Sequence, residues 1–229
     1  IHEGLVQSWK DIFPKKGEIH FAGALENNED TGTLQYLAST AMEAGFSTRV
    51  LDMQALDLQN GRFFDPAGEL VNRCFKLYPW EWMVDESPDG CLAEMEWLEP
   101  IWKLVMSNKA ILATLYELFP DSPYVLPCYL SRPRSGLFCK KPVFSREGHN
   151  VSVVDIRDWE EYVRIAETEG DYNTGAYVYQ EYVEPTAYSG RYPVIGSWII
   201  GGEAAGIGIR ENRMEVTDNL SEFVPHIIG

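Results

Sequence analysis

The stretch EIHFAGALENNEDTGTLQYLASTAMEAGFSTRVL, residues 18–51, decides the fold of the first half of this chain. Residues 18–24 alternate in polarity as a β-strand does, and residues 48–51 predict a second strand. Between them, residues 31–44 place apolar side chains at helical spacing, and Gly45 follows as a glycine at a helix C-terminus does. Two strands joined by a helix form a βαβ unit, whose strands run parallel. The sequence therefore predicts an α/β arrangement here.

Charge and composition narrow the classes of partner. The chain has 229 residues and a net charge of −16, from 19 basic and 35 acidic side chains. Because nucleic-acid binding requires a basic face that neutralises phosphates, we expect no nucleic-acid partner. A strongly acidic protein instead attracts cations such as polyamines or basic peptides. Acidity is equally typical of proteins that are merely soluble, so charge alone does not select a partner.

Targeting and redox signals are sparse in this sequence. The four cysteines, Cys74, Cys91, Cys128 and Cys139, form no CxxC pair and no zinc-ligand spacing with histidine, so we expect reduced thiols. The sequence has neither a signal-peptide pattern nor an apolar run near the roughly 18 residues that a membrane span needs. We therefore expect a cytoplasmic protein with no membrane partner. Because Ile1 is not an initiator methionine, we also expect a processed chain or one observed only in part.

The sequence pattern changes near the middle of the chain. Residues 100–119 predict a helix interrupted near Ser107-Asn108, where either side chain can cap the second piece. A proline-rich stretch, residues 120–133, follows, and beyond it the periodicity is that of β-strands. We place the domain boundary near this stretch or at the Asn108 break. With the boundary at Asn108, we predict an α/β domain over residues 1–107, incomplete at its N-terminus, and a mainly antiparallel domain over residues 108–229. Local predictions are a hairpin turn at Asn60-Gly61, strands at residues 137–143, 151–154, 176–183, 194–200 and 204–210, and a helix at residues 158–166.

The loop Ser145-Arg146-Glu147-Gly148-His149 is a candidate phosphate site between two predicted strands. Glycine permits positive φ, so successive N–H groups can converge on an anion. Lys141 would add a point charge, and Arg146 a fork-shaped donor. An ordinary hairpin with surface charges fits the same residues, and on the loop alone we favour the hairpin.

Two further basic residues are candidates on other elements. Lys109 opens a helix after Asn108, and a helix N-terminus favours anions, although a capped surface helix is the commoner case for one lysine. Arg210 ends the last predicted strand and could stabilise charge in phosphoryl transfer.

Two pairs of residues are candidates for small-molecule contacts. Gln180 and Glu181 lie on a predicted strand, residues 177–183, that could present backbone groups to a flat adenine while one of these side chains fixes its amino group. Aromatic packing of a buried edge strand explains the same residues equally well. Glu29 and Asp30 follow the first strand, where open α/β sheets place ligands, and their carboxylates could receive an ammonium group. Helix capping by Asp30 or Thr31 is a slightly better explanation of that second pair.

Taken in chain order, these segments resemble the glutathionylspermidine synthase family. The resemblance covers nearly the whole chain, and its specificity lies in the order of the pieces, since each is weak alone. The motifs are Glu29-Asp30-Thr31, Leu77-Tyr78-Pro79-Trp80-Glu81-Trp82-Met83, Asn108-Lys109-Ala110-Ile111-Leu112, Lys141-Pro142-Val143-Phe144-Ser145-Arg146-Glu147-Gly148, Tyr179-Gln180, Gly196-Ser197-Trp198, Gly206-Ile207-Gly208-Ile209-Arg210-Glu211 and Phe223-Val224-Pro225-His226.

The resemblance implies an α+β, ATP-grasp-like fold, in which an α/β substrate-side domain precedes a nucleotide-binding domain. It implies the C-terminal portion of an ATP-dependent ligase that uses ATP and Mg²⁺. Such a ligase activates the carboxylate of a peptide acid such as glutathione as an acyl phosphate, which the amine of a polyamine such as spermidine then attacks. The implied roles are phosphate binding by Lys109 and Lys141 under the Gly148 loop, adenine contact by Tyr179 and Gln180, contact with the transferred phosphoryl group by Arg210, and amine contact by Glu29 and Asp30.

The magnesium site is where this sequence departs from the family pattern. Family members hold magnesium with an Arg-x-Asp motif and a Glu/Asn pair, and Glu26-Asn27-Asn28 matches that pair only superficially. We therefore expect the metal ligands upstream of Ile1.

Two other classes of function remain open at this point. One is a non-catalytic module of the same fold that binds a nucleotide or a polyamine without turnover. The other is a carbohydrate-active protein, which 7 tryptophans and many carboxylates suggest. We rank the carbohydrate hypothesis lowest, because the sequence places no carboxylate pair at a defined separation.

Overall fold

The computed structural model describes residues 1–158, 161–172, 175–213 and 221–227. The chain divides into two compact units, one made of residues 1–104 and 198–206 and the other of residues 105–197 and 207–229. One sheet of the protein is parallel, and its other sheets contain antiparallel strand pairs. The prediction of a mixed α and β fold with both kinds of sheet is confirmed.

The first unit is built on a four-stranded parallel sheet with the strand order β2-β1-β6-β7, beside a small antiparallel sheet with the order β3-β4-β5. Its elements are α1 (His2–Ile12), β1 (Glu18–Gly23), α2 (Asn28–Glu43), β2 (Ser47–Asp52), a 3₁₀ turn (Met53–Ala55), β3 (Asp57–Gln59), β4 (Arg62–Phe64), β5 (Leu70–Val71), β6 (Arg73–Leu77), α3 (Trp80–Glu86), α4 (Pro88–Cys91), β7 (Glu96–Leu98) and a 3₁₀ turn (Ile101–Lys103).

The predicted βαβ unit is present as β1, α2 and β2, with β1 and β2 parallel. The helix begins earlier than its apolar pattern indicates, because Asn27 caps it. The Asn27 side chain accepts a 2.9 Å hydrogen bond from the backbone N–H of Glu29 and a longer one from that of Asp30. The cap is therefore Asn27, and the expectation of a cap at Asp30 or Thr31 was wrong by one helical turn.

The end of α2 confirms the role predicted for Gly45. Its φ is +94°, a left-handed conformation in which glycine carries no Cβ penalty. The backbone N–H of Phe46 donates to the carbonyl of Ala41 at 3.0 Å, and that of Gly45 to the carbonyl of Met42 at 2.8 Å. These two bonds satisfy carbonyls at the helix end and define a Schellman cap. The chain then turns directly into β2.

Both faces of the parallel sheet carry apolar clusters. On one face, Ile19 and Phe21 of β1 pack against α1 and α2, and the Trp9 ring lies edge-on, 5.6 Å from the Phe21 ring. On the other face, Ala22 of β1 and Cys74 of β6 pack with residues of α3. Burying a side chain of the size of Ile19 or Phe21 stabilises the fold by about 1.5–3 kcal/mol. The packing therefore holds the carboxyl-terminal edge of the sheet in place.

The hairpin turn predicted at Asn60-Gly61 joins β3 to β4. Both residues have positive φ, 51° for Asn60 and 75° for Gly61. This is the backbone conformation of a type I′ turn, which suits the right-handed twist of a hairpin.

The remaining elements include a five-stranded antiparallel sheet with the order β11-β10-β9-β12-β8 and a three-stranded sheet with the order β13-β14-β15. They are α5 (Leu104–Ser107), α6 (Ala110–Leu118), β8 (Cys128–Tyr129), β9 (Gly136–Pro142), β10 (Ser152–Ile156), β11 (Tyr162–Glu167), β12 (Tyr177–Glu181), β13 (Tyr192–Ile200), β14 (Glu203–Asn212) and β15 (Glu222–Val224). The strand predictions in this half of the chain are confirmed.

The helix predicted at residues 158–166 was wrong. Tyr162–Glu167 forms the strand β11, antiparallel to β10, and residues 159–160 lie outside the described part of the chain. Asp158 does not cap a helix; its side chain accepts a 2.8 Å hydrogen bond from the backbone N–H of Glu161 and so closes the turn into the strand. The edge of β10 offers a ladder of backbone hydrogen bonds, and this tertiary pairing overrides a weak local helix propensity.

No helix in the described ranges is long and apolar enough to cross a membrane. The four cysteines are free thiols, and burial raises the pKa of each, in the case of Cys74 to about 12.

Candidate functional site

A cavity of about 430 Å³ lies within the second unit, and this volume falls in the range of small-molecule sites. Its walls come from the N-terminus of α6, from β9, β10 and β12, from the loop between β9 and β10, and from the segment after β12. The lining residues are Lys109, Leu126, Cys139, Lys141, Ser145, Arg146, Glu147, Gly148, Val151, Val153, Gln180, Glu181, Tyr182, Val183 and Pro185.

The alternation of side chains along β-strands decides which residues face the cavity. In the antiparallel pairing of β9 with β12, Lys141 lies opposite Val178 and Cys139 lies opposite Gln180. Residues that are directly opposite share a face of the sheet, as do residues two apart on one strand. Cys139, Lys141, Val178 and Gln180 therefore share one face, to which Val153 of β10 belongs through its pairing with Cys139.

Lys141 is held toward the cavity by its neighbour on β12. Its Nζ donates a 2.7 Å hydrogen bond to Oε1 of Gln180. The amide oxygen is a neutral acceptor, so it orients the ammonium group and leaves its charge in place. Lys141 can therefore present a positive charge to an anion in the cavity.

Lys109 reaches the same cavity from a helix. The break in the predicted helix is confirmed, since α5 ends at Ser107 and the Asn108 side chain accepts a 2.9 Å hydrogen bond from the N–H of Ala110. The Lys109 Nζ donates to the carbonyl oxygen of Ser145 at 2.5 Å and to its Oγ at 3.0 Å. Lys109 thus joins the start of α6 to the loop between β9 and β10.

The packing of α6 explains the position of Lys109. Ala113 of α6 is buried against Cys128 of β8 and Val178 of β12. Since Val178 shares the face of Lys141, the helix lies on the face of the sheet that contains the cavity. Its N-terminus, where the positive end of the helix dipole favours an anion, then lies at the cavity wall. The first N–H groups of the helix are already paired, that of Lys109 with the Val143 carbonyl and that of Ala110 with the Asn108 side chain.

The loop between β9 and β10 makes a tight turn at its tip. The N–H of His149 donates to the carbonyl of Arg146 at 2.8 Å, and the two residues between them have φ of 56° for Glu147 and 73° for Gly148. Two successive positive φ values form a type I′ turn. The glycine predicted to permit this geometry does adopt positive φ, and so does its glutamate neighbour.

The C-terminal end of the loop is anchored outside the cavity. The Asn150 side chain donates to the carbonyl of Gly170 at 2.8 Å and accepts from the N–H of Tyr172 at 2.7 Å. The hydroxyl of Thr168 donates to the carbonyl of Gly148. These bonds fix one end of the loop, and the tip lies between that anchor and Lys109.

The cavity can hold an anion with an apolar portion. Three basic side chains line it, Lys109, Lys141 and Arg146, against the two carboxylates of Glu147 and Glu181. Apolar wall is supplied by β10 and by the segment after β12, and burial raises the pKa of the Cys139 thiol, which favours its neutral form. A cationic corner beside an apolar wall suits a phosphate ester that carries a flat ring.

Five of the six residues predicted to bind ATP line this cavity, and Tyr179 does not. It packs on the opposite face of the sheet in a cluster with Phe138, Val154 and Ile156, where burial raises its pKa. Because neighbouring residues of a strand point to opposite faces, Gln180 and Tyr179 cannot both direct their side chains into one cavity. A contact of Tyr179 with adenine stays a prediction.

Arg210 is not among the residues that line the cavity. It lies on β14 opposite Phe223 of β15, with its guanidinium carbon 5.8 Å from the centroid of the Phe223 ring. Its role at a transferred phosphoryl group stays a prediction.

Glu29 and Asp30 belong to the first unit. Both lie in the first turn of α2, which follows β1 at the carboxyl edge of the parallel sheet. Glu29 is exposed and Asp30 half-buried. Carboxylates in this position stabilise a helix N-terminus, and their contact with an amine stays a prediction.

The described residues contain no group of three or more histidine, cysteine, aspartate or glutamate side chains placed to hold a metal ion.

The sequence did not identify the cavity residues that follow β12. Tyr182, Val183 and Pro185 line the cavity together with Leu126, which precedes β8. The available signal was the position of Pro185 after a strand, which marks a change of direction. Nothing in the local pattern indicates that this segment turns back over the β9–β12 face.

The chain is similar in sequence to known proteins. The model of the family "Glutathionylspermidine synthase preATP-grasp" matches residues 1–229. A putative acid–amine ligase of Haemophilus influenzae is 34% identical over 99% of this chain and 61% of its own length. A trypanothione synthetase of Crithidia fasciculata is 28% identical over 90% of the chain and 35% of its own length. A bifunctional glutathionylspermidine synthetase/amidase of Escherichia coli is 26% identical over 99% and 41%.

The chain thus spans between 35% and 61% of the length of these three relatives. The family model, in contrast, covers it from the first residue to the last. The resemblance stated from the motifs is confirmed, and the chain belongs to the glutathionylspermidine synthase family.

Proposed function

We propose that the cavity of the second unit binds ATP and that the protein is an ATP-dependent acid–amine ligase. The observation that carries the proposal is the convergence of Lys109 and Lys141 on one cavity beside the Gly148 turn. These groups lie 32 positions apart in sequence and on different elements, a helix start and a strand. Two ammonium groups and a glycine turn supply donors to a polyphosphate, and the positive end of the α6 dipole adds favourable charge.

The two kinds of wall in the cavity support the position that we propose for the nucleotide. The phosphates would lie between Lys109, Lys141 and the turn at Gly148. The adenine ring would lie against the apolar side, near Val153 and Val183, with the Gln180 amide available to its edge. When ATP binds, the phosphate oxygens would accept hydrogen bonds from the ammonium groups of Lys109 and Lys141. These groups now donate to Ser145 and Gln180 respectively.

The proposed reaction has two steps. A carboxylate oxygen of the acid attacks the γ-phosphorus of ATP, the bond from that phosphorus to the bridging oxygen breaks, and ADP leaves. The resulting acyl phosphate is attacked at its carbonyl carbon by a neutral amine nitrogen, so that an amide forms, phosphate leaves and the nitrogen loses a proton. Lys109 and Lys141 would stabilise the negative charge on the phosphoryl oxygens. Arg210 is proposed for the transferred group.

The substrate classes follow from the family and from the charge of the chain. Relatives are named as glutathionylspermidine and trypanothione synthetases, so we propose a peptide acid such as glutathione and a polyamine such as spermidine. The net charge of −16 would attract the polyamine, and Glu29 and Asp30 are proposed to contact it. Magnesium, which the resemblance implies, is assigned to none of the described residues.

The test is ATP binding and turnover by the same protein. Titration calorimetry should show ATP binding that weakens at least tenfold in Lys141→Met and in Lys109→Met, because each loses a charged donor to phosphate. Lys140→Met is a matched control: Lys140 is adjacent on β9 but lies on the opposite face, over the Tyr177 ring at 4.0 Å. It should bind ATP normally.

Turnover separates the ligase from its alternative. ADP formation should require both glutathione and spermidine, or another acid and amine, beyond the rate with ATP alone. ATP binding without any ADP formation across a panel of acids and amines would support the alternative, a non-catalytic module. Equal loss of binding in Lys140→Met and Lys141→Met would remove the basis of the nucleotide site.

A further inference from the structure

A second cavity, of about 190 Å³, lies in the first unit. Its lining begins where two parallel strands end: Met53 directly follows β2, and Tyr78 directly follows β6. These strands flank β1, at which the strand order of the sheet reverses. Ligands of open α/β sheets bind at the carboxyl ends of strands, at such a reversal. The cavity shares no residue with the one in the second unit, so this inference does not depend on the proposed function.

The interior of this cavity is apolar and is lined by flexible side chains. Met53 and Met83 contribute thioethers, and Phe63 contributes an aromatic ring from the β3–β4 hairpin. Methionine adapts its shape to an occupant and makes favourable contacts between sulfur and aromatic rings. An aromatic ring is therefore the group that this wall receives best. Leu58 of β3 completes the wall and is only half-buried, so the space is open to entry.

One end of the cavity carries a single charge. Among the described residues that line it, Glu86 has the only carboxylate, which accepts a 2.6 Å hydrogen bond from the Tyr78 hydroxyl. A carboxylate has room for further donors beside that hydroxyl. Glu86 is exposed, at the end of α3, so the charge is at the mouth of the cavity while the methionines form its interior.

We propose that this cavity binds a small arylalkyl ammonium ion, a primary amine that carries one aromatic ring on a short alkyl chain. The ring occupies the space between the methionines, and the ammonium group donates to Glu86 and lies near the Tyr78 ring, a favourable position for a cation. A cavity of about 150 Å³ accommodates benzene. The slightly larger space here admits one ring and a chain of two or three atoms.

The probe is the phenethylammonium ion, with two analogues that keep its phenyl ring and two-carbon chain: neutral 2-phenylethanol and anionic 3-phenylpropanoate. Binding is followed by NMR of the methionine ε-methyl groups, with the signals assigned by substitution of single methionines to leucine. Phenethylammonium should shift the Met53 and Met83 signals and leave those of Met42 and Met106 unchanged, since both of the latter are exposed. A dissociation constant of about 1 mM or lower is expected for a good ligand of nine non-hydrogen atoms.

Three variants connect the binding to the residues. Glu86→Gln keeps the shape and removes the charge, and should weaken phenethylammonium binding about threefold to tenfold without changing 2-phenylethanol binding. Asp85→Asn makes the same charge change on the adjacent exposed residue and should leave both affinities unchanged. Leu58→Trp fills the cavity and should abolish the Met53 and Met83 shifts with both compounds. Circular dichroism and thermal unfolding show that each variant is folded.

The outcomes separate the proposal from its failure. Selective shifts of the two methionines, a preference of at least threefold for the cation over both analogues, and loss of that preference in Glu86→Gln but not in Asp85→Asn would support it. Absence of the shifts in the wild-type protein would overturn it. So would equal binding of the cation, the alcohol and the acid, or equal effects of the two charge-removing variants.

Discussion

The Nζ of Lys141 donates a 2.7 Å hydrogen bond to Oε1 of Gln180 across the neighbouring strands β9 and β12. The bond is diagonal, since Lys141 lies directly opposite Val178. Both side chains line the cavity of the second unit, so the interaction aims a flexible lysine at the position proposed for phosphate. It also means that nucleotide binding exchanges one hydrogen bond for another.

Breaking this pair from either side should affect ATP binding unequally. Lys141→Met removes the charge, whereas Gln180→Met removes a neutral amide that orients the lysine and is proposed to contact the edge of the adenine ring. We expect Gln180→Met to weaken ATP binding about threefold to fivefold, less than the tenfold or greater loss in Lys141→Met, because a neutral hydrogen bond contributes about 0.5–1.5 kcal/mol. Titration calorimetry measures both. A larger loss in Gln180→Met than in Lys141→Met would show that the amide contacts the nucleotide more strongly than the lysine does.

The backbone amides at the tip of the β9–β10 loop should exchange more slowly with solvent when nucleotide binds. The amides of Arg146, Glu147 and Gly148 would then donate to phosphate oxygens, while Asn150 is already anchored by Gly170 and Tyr172. Hydrogen exchange by mass spectrometry should therefore show slower exchange at residues 146–148 with ATP. Exchange at residues 152–156, within β10, serves as the internal reference and should not change. Slow exchange at the tip that is identical with and without ATP would argue against a phosphate-covering loop.

Glu29 and Asp30 on α2 should contribute to binding of the amine substrate and not to binding of ATP. In Glu29→Gln combined with Asp30→Asn, the KM for the amine should rise, because the attraction between the carboxylates and the ammonium group is lost. The KM should also depend less on salt concentration, since salt screens that attraction in the wild-type protein. The KM for ATP should stay near its wild-type value.

Stability provides the control for that double variant. The cap of α2 is the Asn27 side chain, which the double variant retains. Asn27→Ala should lower the free energy of unfolding by about 1 kcal/mol. Neutralising each carboxylate should lower it by about 0.3–1 kcal/mol. If Asn27→Ala raises the KM for the amine as much as the double variant does, the effect comes from the helix and the carboxylates are not the amine site.

His20 should make the stability of the protein depend on pH. The side chain is 2% exposed, and its Nε2 lies 3.8 Å from a Glu18 carboxylate oxygen and 3.9 Å from one of Asp65, beyond hydrogen-bond distance. Neither ring nitrogen has a hydrogen-bond partner among the described residues. Burial lowers the pKa of His20 below 6.5, and the two carboxylates only partly oppose it.

The sign of the pH effect follows from that direction. With a folded pKa below the unfolded one, the unfolded state binds more protons, so stability is complete above about pH 6.5 and is lost as pH falls. Urea unfolding between pH 7.5 and 5 should show the wild-type protein losing more stability than His20→Leu, by at most about 1.4 kcal/mol per pH unit. The Asp65 carboxyl, whose pKa is lowered from 3.8, titrates below this range. Parallel curves for the two proteins would contradict the prediction.

The elements that the sequence determined are those set by local patterns. The βαβ unit followed from the helical spacing of residues 31–44 and from Gly45, because a helix end in this conformation requires a residue without a Cβ penalty. The hairpin at Asn60-Gly61 followed for the same reason, since both turn residues must adopt positive φ. These preferences lie within a few residues of chain and need no partner.

Only the tertiary structure decided the features that depend on contacts between residues distant in sequence. Residues 162–167 became a strand because the edge of β10 offers a hydrogen-bonding ladder. Lys109 and Lys141 lie in one cavity because Ala113 packs α6 onto the face of the sheet that carries Val178. The same strand alternation sends Gln180 into that cavity and Tyr179 away from it. Such contacts arise between residues distant in sequence, and their free energy comes from burial and pairing that no local window of sequence contains.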